Sequence, residues 1–183
     1  HIRSARTLMG ALGWPDVEPD PLLAAAGSDA ALQIRTDRTY IAYTRDAQGR
    51  ARLYVDGQEA TAMDVGGDLS NWDAGYRLAL ADELSRDRGW RGAYHHAALY
   101  DRALSPSEIA AHGAAGAPQP ADGLLARYAF NEGEGTIVRD VSGLEPPLDL
   151  LIADPDAAAW REDGLHVNGA ALIATQQPAA RLT

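Results

Sequence analysis

Oxygen-bearing side chains crowd three stretches of this 183-residue sequence. Asp64, Asp68, Asn71 and Asp73 fall in the first, Asp82, Glu83 and Asp87 in the second, and Asn131, Glu132 and Asp140 in the third. Carboxylates and amides in loops suit a hard cation that wants about six to eight oxygens. Their spacing matches no EF-hand loop, and acidic turn residues on a solvated rim are the plainer alternative. Trp72 and Tyr76 stand in the first stretch, with Asn71 and Asp73 beside Trp72. A flat aromatic face flanked by carboxylate and amide groups is chemistry that holds a sugar, ring against ring and hydroxyls against the polar groups. Trp72, Asn71, Asp73, Asp68 and Tyr76 are therefore the candidate ligand-binding residues. Tyr54, Trp90, Tyr94 and Tyr100 lie on strand-like segments, where core packing is the simpler reading.

Other constellations carry less. His95 and His96 are adjacent, and on a strand neighbouring side chains point to opposite faces, so the two do not readily ligate one ion. No G-x-S-x-G elbow occurs, and without cysteine a thiol nucleophile, a disulfide and a Cys-ligated zinc are all excluded. The Gly133-Glu-Gly135 turn is followed by no Lys-Ser/Thr pair and is no phosphate loop.

Composition narrows the classes further. With 46% hydrophobic and 23% charged residues the chain has the makings of a core rather than of a disordered tail. A net charge of −10 argues against a nucleic-acid binder, which needs a basic stripe for phosphates. No apolar run approaches the roughly 20 residues of a membrane span, so no membrane insertion is expected.

The elements that position these residues read as strands. Tyr40–Thr44 is rich in β-branched and aromatic residues, Asp46–Gly49 makes a hairpin turn, and Arg50–Asp56 alternates with Ala51, Leu53 and Val55 on one face. Asp56-Gly57 turns the chain again, which is the rhythm of an antiparallel meander. Further strands are expected at Gln58–Val65, Tyr76–Leu80 and Gly92–Tyr100. One helix comes next, with Ser105 as N-cap, Pro106 in its first turn and Glu108 completing a capping box; it is expected to stop at Gly113. Gly116–Gly123 reads as a linker, and strands resume at Leu124–Phe130, Thr136–Asp140, Leu148–Ile152, Gly164–Val167 and Ala170–Ala174. The fold class is all-β: an antiparallel β-sandwich with one short helix.

Three motifs carry a family resemblance. Tyr40-Ile-Ala-Tyr-Thr-Arg-Asp46 with Gly49-Arg-Ala-Arg-Leu-Tyr-Val-Asp-Gly57 resembles the central hairpin of laminin-G-like domains of the concanavalin A-like jelly roll. The run from Trp90 to Ile109 resembles that family's closing strand and helix, and Leu124 to Gly143 resembles its opening strand and turn. The closing motif thus precedes the opening one. On this reading residues 1–116 are the later part of a laminin-G-like sandwich, 117–123 a linker, and 124–183 the early part of the same sandwich, permuted, or of a next repeat. Completion by another copy is a third arrangement, because half a sandwich leaves strand edges and an apolar sheet face uncovered.

The resemblance implies a non-catalytic binding module of an exported bacterial protein, secreted, periplasmic or on the cell surface. Its partner would be a glycan or a cell-surface ligand, met through rim loops. The alternative is a structural module that self-associates or packs against a neighbouring repeat. The family's rim calcium implies Ca2+ as a cofactor, with Asp140 and Glu132 as the metal residues because they match the opening turn best. Jelly-roll glycosidases carry two glutamates flanking an aspartate on one strand. Here the nearest imitation is Glu18-Pro-Asp20, with Leu23 where the second glutamate should stand, so no enzyme is expected.

Overall fold

The structure, a computed structural model, describes residues 38–65, 73–86, 89–168 and 171–182. The chain divides into two compact units, residues 1–71 with 102–117 and residues 72–101 with 118–183. All strand pairs are antiparallel, and one α-helix occurs among the described residues. Among those residues no helix is long and apolar enough to cross a membrane.

In the first unit β1 (Ile41–Arg45), β2 (Arg50–Val55) and β3 (Gln58–Asp64) form the expected meander, in the order β1-β2-β3. The first turn is locked by the Asp46 carboxylate, which accepts from the backbone N–H groups of Gln48 and Arg50 at 3.1 and 2.8 Å. Asp56 and Gly57 both take positive φ, 49° and 82°, the twist that joins two right-handed strands tightly. The predicted alternation of β2 holds through Ala51 and Leu53, both buried. A register shift between Leu53 and Tyr54 then buries Tyr54 as well, and Val55 is only half-buried.

Helix α1 (Pro106–Ala115) begins as predicted, with the Ser105 capping box in place. It runs past Gly113 and ends at Gly116, which takes the left-handed conformation. Gly113 has another purpose. A Cβ on it would lie 2.9 Å from the backbone nitrogen of Gly57, so the missing side chain lets the helix lie directly on the β2–β3 turn. Leu104, Ile109 and His112 are the residues buried on this side.

The second unit is a sandwich built from two stretches of chain. From residues 72–101 come β4 (Ala79–Leu80), β5 (Arg91–Tyr94) and β6 (Ala97–Tyr100). From 118–183 come β7 (Leu124–Tyr128), β8 (Ile137–Val138), β9 (Leu150–Ile152), β10 (Ala158–Arg161), β11 (Gly164–Asn168) and β12 (Ile173–Thr175). Each early strand pairs with a late one: β5 with β11, β4 with β12 and β6 with β7. The sheets run β10-β11-β5, β4-β12-β9-β8 and β6-β7, and their inner faces share one core. Trp90, Tyr94, Phe130 and Tyr128 run through it in successive ring contacts of 4.8, 5.2 and 6.2 Å. A fully buried ring such as Phe130 contributes about 1.5–3 kcal/mol by leaving water.

Several segments differ from the sequence reading; the strand expected at Tyr76–Leu80 is a strand only at Ala79–Leu80, which leaves Tyr76 before it. The expected strand Gly92–Tyr100 is broken between Tyr94 and Ala97, so His95 and His96 lie between two strands rather than on one. The cause is a change of partner, since β5 belongs to one sheet and β6 to another. β10 carries no predicted counterpart; its Ala-Ala-Trp-Arg sequence is too small-sided to stand out as a strand without β11 beside it.

Candidate functional site

The loop that bears the candidate ligand residues leads into β4. Asp68, Asn71 and Trp72 lie outside the described residues, whereas Asp73 and Tyr76 are inside them. Asp73 opens a tight turn. Its carboxylate Oδ1 accepts the N–H of Gly75 at 2.7 Å, and its backbone carbonyl accepts the N–H of Tyr76 at 2.9 Å. Tyr76 is 57% exposed, more than any other large hydrophobic side chain among the described residues. Its carbonyl accepts the N–H of Ala179 at 2.8 Å, which ties the turn to the C-terminal stretch. Two residues on, Leu78 and Thr175 exchange two bonds, from Thr175 N–H to the Leu78 carbonyl at 2.9 Å and from Leu78 N–H to Thr175 Oγ1 at 3.2 Å. A polar-capped turn on a fixed footing thus holds an aromatic face toward water, with the Asp73 carboxylate in the same turn.

The structure gives Asp140 and Glu132 a different setting. Asp140 Oδ1 accepts the N–H groups of Arg127 and Ser142 at 3.1 and 2.9 Å. Oδ2 accepts the N–H of Leu148 at 3.0 Å and a guanidinium N–H of Arg181 at 2.5 Å. Burial is the largest single influence on this carboxyl and pushes its pKa up. Hydrogen bonds from the Leu148 backbone, from the Ser142 backbone and side chain and from the Arg127 backbone oppose it, and the group is held below the ordinary carboxylate value. Glu132 Oε1 accepts the N–H of Arg139 at 2.8 Å. The Asp140 oxygens are thus occupied by protein donors, and a side chain that is 1% exposed offers no open face to a hydrated cation. Asp140 therefore does not fit a calcium ion needing about six to eight accessible oxygens. Among the described residues no group of three or more His, Cys, Asp or Glu side chains is arranged to hold a metal.

His95 and His166 converge on one residue of the β10–β11 turn. The His95 ring faces the backbone carbonyl of Asp163, and His166 Nε2 lies 2.8 Å from the Asp163 carboxylate. The hydrogen bond from His166 is the main reason that carboxyl sits below its usual range. The interaction fastens a turn, and its sequence signal is slight because the histidines are 71 positions apart.

An open groove of about 570 Å³ lies along the turn after β9. Arg86, Asp154, Asp156 and Asn168 line it over the small side chains of Ala153 and Ala157. Arg86 adopts φ 60° and donates to Asp154 at 2.8 Å, which lowers the Asp154 pKa and raises that of the arginine. The Asp-Pro-Asp run at 154–156 is a turn signal in the sequence, but its arginine partner comes from a loop 68 positions earlier. Glu18 and Asp20, the nearest imitation of a glycosidase pair, lie outside the described residues.

Residues 22–110 match the family model described as the concanavalin A-like lectin/glucanases superfamily, in its laminin-G branch. That stretch is similar to laminin-G-like members of the superfamily, and it reaches from before β1 into the first half of α1. No curated protein and no solved structure matches the chain. Modules of this family generally bind carbohydrates or other ligands and are generally non-catalytic.

Proposed function

From the similarity of residues 22–110 to laminin-G-like modules, we propose that the chain is a non-catalytic extracellular binding module that recognises a glycan or another surface ligand. The contact region is the loop of Asp68, Asn71, Trp72, Asp73 and Tyr76. The observation that supports this reading is Tyr76, a residue 57% exposed on a turn whose backbone is bonded at both ends. A rigid aromatic face gives contact area at low entropic cost, and Asp73 supplies an acceptor for hydroxyl groups. Binding is an equilibrium with no bond broken.

A glycan array probed with the full chain tests it, once with millimolar calcium and once with chelator. Tyr76→Ala and Trp72→Ala should each weaken a positive signal at least about tenfold while leaving the far-ultraviolet spectrum unchanged. Unchanged binding in both variants removes the loop from the reading. Signal lost with chelator assigns a cation to oxygen ligands other than the Asp140 hub.

The construction of the second unit favours a second reading, a module that assembles by strand exchange. All three of its early strands take partners from residues 118–183, and the same pairings are open to a neighbouring copy. Light scattering decides this: a strict monomer at tens of micromolar excludes exchange between copies.

A further inference from the structure

We propose that Thr175 is a positioning residue for the ligand-facing turn, acting through its hydroxyl on Leu78 and hence on Tyr76; this rests on the reading of that turn as the binding surface. β12 and β4 pair Ile173 with Leu80 and Ala174 with Ala79, so Thr175 and Leu78 come next in register. An antiparallel hydrogen-bonded pair normally exchanges two bonds between backbone groups. Here Thr175 N–H donates to the Leu78 carbonyl at 2.9 Å, but the return bond from Leu78 N–H goes to Thr175 Oγ1 at 3.2 Å. The side chain has replaced the backbone carbonyl as acceptor.

This change of acceptor matters because the ladder breaks immediately beyond it. Gln176, Gln177 and Pro178 bulge out opposite Arg77 alone before Ala179 N–H reaches the Tyr76 carbonyl at 2.8 Å. The hydroxyl is thus the last fixed point of the ladder before the bulge, and Tyr76 hangs from the two anchors on either side of it. Thr175 is 2% exposed, so no water replaces the acceptor if it is removed. Thr175 and Ala179 lie outside the family-matched stretch, which means that the C-terminal stretch sets the aim of a loop the matched stretch supplies.

The test uses full-length Thr175→Val, which keeps shape and removes the acceptor, and Thr175→Ser, which restores a hydroxyl. Amide hydrogen exchange is read at residues 76–80, together with affinity for whichever array glycan the wild type binds. In Thr175→Val the Leu78 and Tyr76 amides should exchange roughly three- to tenfold faster and affinity should fall by a similar factor. Thr175→Ser should return both toward wild type. Wild-type exchange at Leu78 in the valine variant overturns the proposal, and so does a serine variant as impaired as the valine one, since packing rather than the hydroxyl would then matter. If the wild type binds no glycan, the glycan reading of the turn fails by itself, and the exchange comparison still decides whether Thr175 holds it.

Discussion

Asp140 and Arg181, 41 positions apart, meet in an ion pair of 2.5 Å whose carboxylate is 1% exposed. The same guanidinium donates to the Pro146 carbonyl at 3.1 Å, so one side chain from the last turn of the chain clamps both ends of the 140–146 loop. A buried charge is tolerated only when paired and hydrogen-bonded, and this carboxylate has both kinds of partner.

Asp140→Asn should therefore be costly. Removing one partner of a buried pair typically costs about 3–5 kcal/mol, and urea unfolding at neutral pH should show a loss of that order. The sign with pH comes from a carboxyl held below its ordinary 3.8. Its stabilisation is complete above that value and is lost as pH falls through the lower, folded pKa. The gap between wild type and variant should stay constant near neutrality and close in acid; a gap that widens in acid contradicts the hub.

His112 predicts the opposite kind of group. It is 3% exposed on α1, and its ring meets that of Tyr40 edge-on at 6.5 Å. Burial lowers its pKa from the usual 6.5, opposed only in part by the Glu108 carboxylate. The unfolded chain takes up the proton first, so this contribution is intact above about pH 6.5 and falls as pH drops toward the folded value. Following the His112 ring by NMR should give a midpoint below 6.5; a midpoint above it would mean the ring is not desolvated.

Gly164 leaves no room for a side chain. It takes φ 142°, and a Cβ there would run into the backbone carbonyl of Tyr94 on the neighbouring strand. Gly164→Ala should cost about 2 kcal/mol or more in thermal or urea unfolding. A neutral effect would mean that β5 and β11 part easily at this point.

Cutting the chain between Pro118 and Asp122, through an introduced protease site, should not separate the two products. The strands of 72–101 remain bonded to those of 124–183 through three pairings, so the fragments should co-elute on size exclusion until denaturant is added. Separation without denaturant would show that those pairings are weak.

Much of this was legible in local signals. Asp46–Gly49 and Asp56-Gly57 mark the hairpin turns, Ser105-Pro-Ser-Glu108 marks the start of α1, and each acts within a few residues. The Asp73 turn is of the same local kind, its carboxylate accepting the N–H of Gly75 two residues on. Where the strand ends and helix ends were misplaced, a distant partner had overridden local preference. Gly113 serves the approach to Gly57 instead of ending the helix, and His95-His96 falls where the chain changes sheets.

The sequence by itself determined the all-β class, the meander and the capped helix, because period, turn chemistry and capping are written in neighbouring residues. Only the tertiary structure decided what Asp140 does and what Tyr76 rests on. As a sequence, Asp140 is an acidic turn residue fit for a cation; in the fold, Arg181 and three backbone N–H groups fill its oxygens. Tyr76 takes its footing from Thr175 and Ala179, about a hundred residues away. A carboxylate or a carbonyl bonds whichever donor the fold brings within about 3 Å, and that choice depends on long-range pairing no local pattern records.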